Sequence, residues 1–275
     1  MTQLPLIIEP QELKALDTTT EVLLVDLSTH HQYTQAHIPG AVFLDYAHIV
    51  GMNKPYTGLL PDVASFEQVI NALGITPDTH IAAYDEEGGG KAGRLIWTLH
   101  AMGHMKASVL NGGLIAWYRE EYPLSNEPVH SQANATKDHY SVSFDQQQVI
   151  ADAEYIMANL ENPDIGLLDA RSVEEYNGTA RYAQRAGRIP GAQHFEWTRA
   201  LNADTNYRLL DKETLQAQLD ALELSRDKEI IVYCQSHHRS ALSYLMLKYL
   251  GYEKVRGYPG SWSEWGNRTD TPVTI

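Results

Sequence analysis

The sequence predicts an α/β protein made of two tandem copies of one domain, each a mostly parallel sheet flanked by helices. Three observations carry this expectation. The chain has 275 residues, which suits two domains at about 150 residues each. The sequence repeats itself at an interval near 149 residues. Within each copy, short apolar runs alternate with helical stretches, the grammar of parallel strands joined by helical crossovers.

The repeat is read directly from residue spacing. Leu24-Val25-Asp26 precedes Tyr33 and then Ile38-Pro39-Gly40-Ala41, and Leu168-Asp169-Ala170-Arg171 precedes Tyr176 and then Ile189-Pro190-Gly191-Ala192. Asp to Tyr is 7 residues in both copies (26 to 33, 169 to 176), after which the second copy carries 8 more residues before its Ile-Pro-Gly-Ala (13 against 5). Ile81-Ala82-Ala83-Tyr84-Asp85 pairs with Ile230-Ile231-Val232-Tyr233-Cys234 at an offset of 149. Gly103, Gly112 and Trp117 then pair with Gly251, Gly260 and Trp265. A period this long means domain duplication, not a solenoid. The domains are expected at 1–125 and 141–275, joined by a polar linker at 126–140.

Taken in order, each copy opens with a buried strand ending in Asp, Val22–Asp26 or Ile165–Asp169. A helical stretch and the Pro-Gly punctuation of Ile-Pro-Gly-Ala lead into a further short strand. Helices are expected at Ser65 to Leu73 and Asp211 to Leu222, the first closed by Gly74. A strand ending at Tyr84-Asp85 or Tyr233-Cys234 follows, then a loop and a helix, Arg94 to Met102 or Ser240 to Leu250, stopping at Gly103 or Gly251. A last strand and Gly-rich turns precede the Trp-bearing segment. Ligands of such sheets sit beyond the carboxyl ends of the strands, which is where Cys234 falls.

Composition narrows the function. Lys+Arg 21 against Asp+Glu 35 gives a net charge of −14, which disfavours nucleic acid and an anionic membrane surface as partners. The single cysteine excludes an intramolecular disulfide and a Cys-based zinc site. No apolar run approaches the roughly 18–20 residues of a membrane span, and the N-terminus lacks the basic and apolar regions of a signal peptide. A cytoplasmic protein is expected.

The chemistry concentrates in Cys234-Gln235-Ser236-His237-His238-Arg239-Ser240. A short strand-to-helix loop can aim successive backbone N–H groups at one point, and the following helix adds partial positive charge. A free thiol has a pKa near 8.5, and such settings lower it to roughly 3.5–7.5. Cys234 is therefore the candidate nucleophile. The alternative is a buried structural cysteine. The Cys-x4-Arg spacing is one residue shorter than the loop of a cysteine phosphatase, so it suits the terminal sulfur of a persulfide better than a tetrahedral phosphate. Asp85 occupies the matching place in the first copy, and a carboxylate cannot carry sulfane sulfur.

The duplication, the two Ile-Pro-Gly-Ala signatures and the lone cysteine in the second copy resemble the tandem-domain rhodanese family over nearly the whole chain. The resemblance implies two rhodanese-like domains, the first catalytically silent. It implies a thiosulfate sulfurtransferase in which Cys234 takes up sulfur as a persulfide and passes it to cyanide or another thiophilic acceptor. The loop is similar to that of a bacterial thiosulfate sulfurtransferase subgroup. It departs from the Cys-Arg-Lys-Gly-Val-Thr loop of animal enzymes and from the Cys-Gly-Ser/Thr-Gly-Val-Thr loop of mercaptopyruvate enzymes. A 3-mercaptopyruvate sulfurtransferase and a persulfide carrier handing sulfur to a partner protein are the alternatives. Where animal members carry a substrate-binding arginine, six residues past the strand Asp, this chain has Glu175.

Gln235, Ser236, His237, His238, Arg239 and Ser240 are expected to bind the substrate, their amides stabilising the transferring sulfur. Arg239 either faces the donor's sulfonate or forms a structural ion pair beneath the loop. His237 and His238 either donate hydrogen bonds or face solvent. Asp169 is expected to bond loop amides, and Arg171 to pair with Glu174 or Glu175. Trp262 and Trp265 read as packing. Gly88-Gly89-Gly90 lacks the Lys-Ser/Thr ending of a phosphate loop. No metal or organic cofactor is expected, the acceptor extends to a partner protein, and the chain is expected to act as a monomer.

Overall fold

The computed structural model of the protein describes residues 4–16, 22–129 and 139–275. The linker expected at 126–140 lies mostly outside the described residues, which leave out 130–138.

The chain forms two compact units, each with its own parallel sheet. The N-terminal unit comprises the chain up to Ile49 together with Pro61–Asp145 and Asn202–Arg208. Its five strands lie in the order Ile7–Ile8, Ala107–Leu110, His80–Tyr84, Val22–Asp26, Val42–Phe43. Every pairing is parallel. The C-terminal unit comprises Val50–Leu60, Gln146–Leu201 and Leu209–Ile275. Its strands run Val255–Gly257, Glu229–Tyr233, Ile165–Asp169, Gln193–His194, again all parallel. A single bridge, Ile150 to Gly257, stands where the first unit has Ile7–Ile8.

The two sheets share one register. Asp26 pairs with Tyr84, and Asp169 with Tyr233. The tyrosine ending each central strand explains the Ile-Pro-Gly motif: the Tyr84 hydroxyl accepts the Ile38 N–H at 3.0 Å, and the Tyr233 hydroxyl accepts that of Ile189 at 3.3 Å. A buried phenol thus satisfies a backbone donor that enters no strand. Each core gathers around these strands. Ile8, Ile38, Tyr84, Leu110, Leu114 and Trp117 cluster in the first unit, and Ile231, Tyr233, Tyr258, Trp262 and Trp265 in the second. Trp262 and Trp265 are fully buried, as packing residues should be.

Helix starts follow their caps. Asp62 caps Val63–Ala72 by accepting the Ser65 N–H at 2.9 Å, and Asp211 caps Lys212–Asp220 by accepting that of Thr214 at 2.8 Å. The helix expected from Arg94 begins at Gly90, with Gly89 as a left-handed N-cap. Its counterpart is Arg239–Tyr249. Both helices thus start five residues after the strand-end position, Asp85 in one copy and Cys234 in the other.

Each half of the sequence lends a segment to the other unit. The antiparallel hairpin of Gly51–Asn53 and Tyr56–Leu59 packs within the C-terminal unit. There the Thr57 N–H donates to Ser263 Oγ at 2.7 Å. Gly58 has φ +78°, and a Cβ at that position would lie 2.2 Å from the Ser236 carbonyl oxygen, so only glycine lets the hairpin approach the loop this closely. Reciprocally, Arg208 belongs to the N-terminal unit, where its guanidinium pairs with Glu120 and Glu9, the latter at 2.8 Å.

Candidate active site

The loop 234–240 leaves the carboxyl end of Glu229–Tyr233 and is tied down along its length. The Cys234 carbonyl accepts the Trp262 N–H at 2.9 Å, and the Gln235 carbonyl accepts that of Ser263 at 2.8 Å. Ser261 Oγ accepts the N–H of Cys234 at 3.3 Å and of His237 at 3.1 Å, and donates to the Tyr258 carbonyl at 2.7 Å. His237 and Ser261 both have left-handed backbones, φ +52° and +49°. Non-glycine residues held there cost about 1–3 kcal/mol each, a strain that collects at functional sites.

Cys234 has no exposed surface, while Gln235, Ser236, His238 and Arg239 above it are part-exposed. Burial works to raise its pKa. The Arg239 guanidinium, the Ser240 hydroxyl and the backbone amides of Ser240 and Ser236 outweigh it, and the thiol is held below the ordinary cysteine value. The surroundings of the sulfur are polar and donor-rich, as a thiolate requires. Of the loop amides, that of His237 is turned to Ser261 instead.

The side chains divide as follows. His237 is fully buried, so the solvent-facing alternative does not hold for it; its Nδ1 lies 2.8 Å from Ser240 Oγ. His238 is part-exposed. Gln235 Nε2 donates to the Tyr182 carbonyl at 3.3 Å. Arg239 makes a fork–fork pair with Glu175 at 2.6 and 2.9 Å, the ion-pair alternative, while still acting on the sulfur. That finding corrects the expected partner of Arg171. Arg171 pairs instead with Asp169 at 2.6 Å and donates to the Gly187 carbonyl at 2.8 Å. The reason is geometric: its guanidinium lies 4.5 Å from the Trp262 ring and 5.6 Å from the Tyr233 ring, a buried slot that points it at the strand end. Asp169 also accepts the Arg171 N–H at 3.0 Å, the loop amide expected of it.

Two residues at the site escaped sequence reasoning. Glu175 had been read only as a partner for Arg171, although Ser172-x-x-Glu175 forms a capping box that fixes where the carboxylate points. Ser261 was passed over beside the tryptophans. Its signal was the repeat: Gly113 stands at the matching place with φ +55°, which marks a left-handed position.

The first copy shows what this loop geometry holds. Asp85 Oδ1 accepts the N–H of Glu87 at 3.0 Å, Gly88 at 3.1 Å and Gly89 at 2.8 Å, and Oδ2 accepts that of Ala92 at 2.9 Å. The carboxylate fills the ring of amides with its own oxygens. Among the described residues no helix is long and apolar enough to cross a membrane, and no group of three His, Cys, Asp or Glu is placed to hold a metal ion.

The rhodanese-like domain profile matches residues 9–120 and 152–268. The chain belongs to the rhodanese family. It is 41% identical over 283 residues to a thiosulfate sulfurtransferase of Azotobacter vinelandii, covering 99% of this chain and 98% of that protein. A 3-mercaptopyruvate sulfurtransferase of Escherichia coli K12 is 32% identical over 251 residues, covering 90% of this chain and 86% of that protein. Among solved structures, the Tum1 protein of Saccharomyces cerevisiae superposes with a TM-score of 0.82 at 26% identity, covering 95% of each chain.

Proposed function

We propose that this protein is a thiosulfate sulfurtransferase that carries sulfane sulfur on Cys234. The carrying observation is the thiol itself, held below its ordinary pKa at the end of a central strand by Arg239, Ser240 and two backbone amides. The self-filled amide ring around Asp85 supports the reading that this loop is built around an anion, and leaves the first domain without a sulfur carrier. The greater likeness to the thiosulfate enzyme than to the mercaptopyruvate enzyme supports the donor.

The Cys234 thiolate attacks the outer sulfur of thiosulfate. The new bond is Cys234 S–S; the bond that breaks joins the outer sulfur to the sulfonate, which leaves as sulfite with the electron pair. One charge on the thiolate and two on the donor become one on the persulfide and two on sulfite, and no proton moves. The donors around the sulfur stabilise the charge as it passes to the second sulfur atom. Cyanide then takes the outer sulfur as thiocyanate and restores the thiolate, the ping-pong pattern of covalent catalysis. Gln235 to Ser240 line the donor's approach, with Arg239 supplying positive charge. In this reading 1–125 is the silent domain, 126–140 the linker and 141–275 the catalytic domain, acting as a cytoplasmic monomer with a thiol or an acceptor protein as alternative acceptors.

The test is turnover with thiosulfate and cyanide, with intact mass taken after thiosulfate alone. Thiocyanate should form, the protein should gain one sulfur, about 32 mass units, and Cys234→Ser should lose both. Turnover retained by the serine variant overturns the assignment.

A further inference from the structure

The Arg239–Glu175 pair occurs in only one of the two copies. The residues at the matching places of the first copy are Gly90, which opens its helix as Arg239 opens the other, and Gln32, which like Glu175 directly precedes the repeat tyrosine. Gln32 spends its side-chain amide on the Ala36 carbonyl at 3.3 Å. The first copy ties its loop with a different pair, Lys91 Nζ to Glu86 at 2.7 Å, so the Arg239–Glu175 arrangement is not itself a requirement of the fold. It accompanies the sulfur.

Glu175 is also unusually well aimed. Its side chain is only 7% exposed, it meets both terminal nitrogens of Arg239, and its own oxygen accepts the Ser172 N–H at 3.3 Å. The guanidinium between this carboxylate and Cys234 is therefore fixed in direction and shared in charge. An anionic donor meets a guanidinium whose charge is shared with Glu175.

We propose that Glu175 is a specificity-determining residue that, through Arg239, sets the charge of donor this site prefers. The inference rests on the sulfurtransferase reading above. Because Glu175 offsets part of the guanidinium's charge, the site discriminates less between dianionic and monoanionic sulfur donors than an unpaired cation would. Removing its charge uncovers one positive unit, and a dianion gains twice as much Coulomb energy from that as a monoanion does.

Methanethiosulfonate is the matching monoanionic probe. It delivers the same outer sulfur, with methanesulfinate leaving in place of sulfite, and differs from thiosulfate by a methyl group in place of one charged oxygen. Glu175→Gln is nearly isosteric and keeps the capping box, which accepts Gln as well as Glu. In that variant KM for thiosulfate should fall on the order of tenfold and KM for methanethiosulfonate roughly threefold, the square root, so their ratio shifts about threefold toward the dianion. Glu175→Ala should shift the ratio the same way. Glu175→Asp, which keeps the charge, should leave it where it was.

Equal changes for both donors, or a shift toward the monoanion, overturn the proposal. So does failure of both neutral variants to fold, since a residue that sets charge tolerates a neutral isostere. If wild type turns over thiosulfate and Cys234→Ser does not, yet the donor ratio is unmoved in Glu175→Gln, this inference alone falls. Retained turnover in Cys234→Ser removes the reading beneath it.

Discussion

Removing the Ser261 hydroxyl should loosen the sulfur loop by a calculable amount. That one oxygen serves three buried backbone groups: the amides of Cys234 and His237 and the carbonyl of Tyr258. In Ser261→Ala all three lose their partner. A buried polar group left unpaired costs about 1–3 kcal/mol, and the 3.3 Å contact to Cys234 is the weakest of the three. Taking the low end for each gives about 3 kcal/mol. Ser261→Gly loses the same hydroxyl but relieves the left-handed backbone at φ +49°, which returns about 1 kcal/mol. The glycine variant should therefore be the more stable of the two although it has less side chain. Urea unfolding followed by tryptophan fluorescence reads this, since the buried Trp262 is the next residue. The pH dependence of iodoacetamide alkylation reads the sulfur: freed amides no longer hold the loop closed, and the two variants should alkylate faster than wild type at the same thiolate fraction. If Ser261→Ala costs less than about 0.5 kcal/mol, the level of an ordinary surface change, or if glycine is no better than alanine, then Ser261 does not anchor this loop.

Two further outcomes concern the N-terminal unit. Asp85→Asn turns one acceptor oxygen into an N–H donor facing an amide that already donates, so the N-terminal unit should lose about 2–4 kcal/mol in denaturant unfolding, while Cys234 still gains sulfur per folded molecule. His80 has its pKa lowered to about 4, by burial first and then by His104 and Lys106. Its unfolded form takes up a proton near pH 6.5, before the folded form does, so stability is lost as pH falls from about 6.5 toward 4. With the ring part-exposed the loss is about 1–2 kcal/mol, and His80→Gln should flatten that limb of the stability profile.

Much of the architecture was legible because duplication let each half of the sequence check the other. Asp26 against Asp169 and Tyr84 against Tyr233 located the central strands, which the structure pairs in one shared register. Local chemistry was read less well. Gly88-Gly89-Gly90 looks like loop, yet the helix begins at Gly90, because the amides around Asp85 nucleate it before any good helix former appears. The expected partners of Arg171, Glu174 or Glu175, lie close in sequence, whereas a cage of Tyr233 and Trp262 rings decides where the guanidinium lies. Glu175 and Ser261 meet Arg239, Cys234 and His237 only through tertiary folding, across separations that no local pattern encodes. The hairpin at Gly51–Leu59 could not be assigned to its unit from sequence, since nothing near it names Ser263 or Ser236.

That hairpin bears on how the protein comes into being. Residues 50–60 leave the ribosome long before 234–263, the segment they pack against, has been synthesised. They must wait, partnerless, through the manufacture of most of the chain. A gene cut at the duplication boundary would separate the Cys234 loop from the ribbon that packs on Ser236.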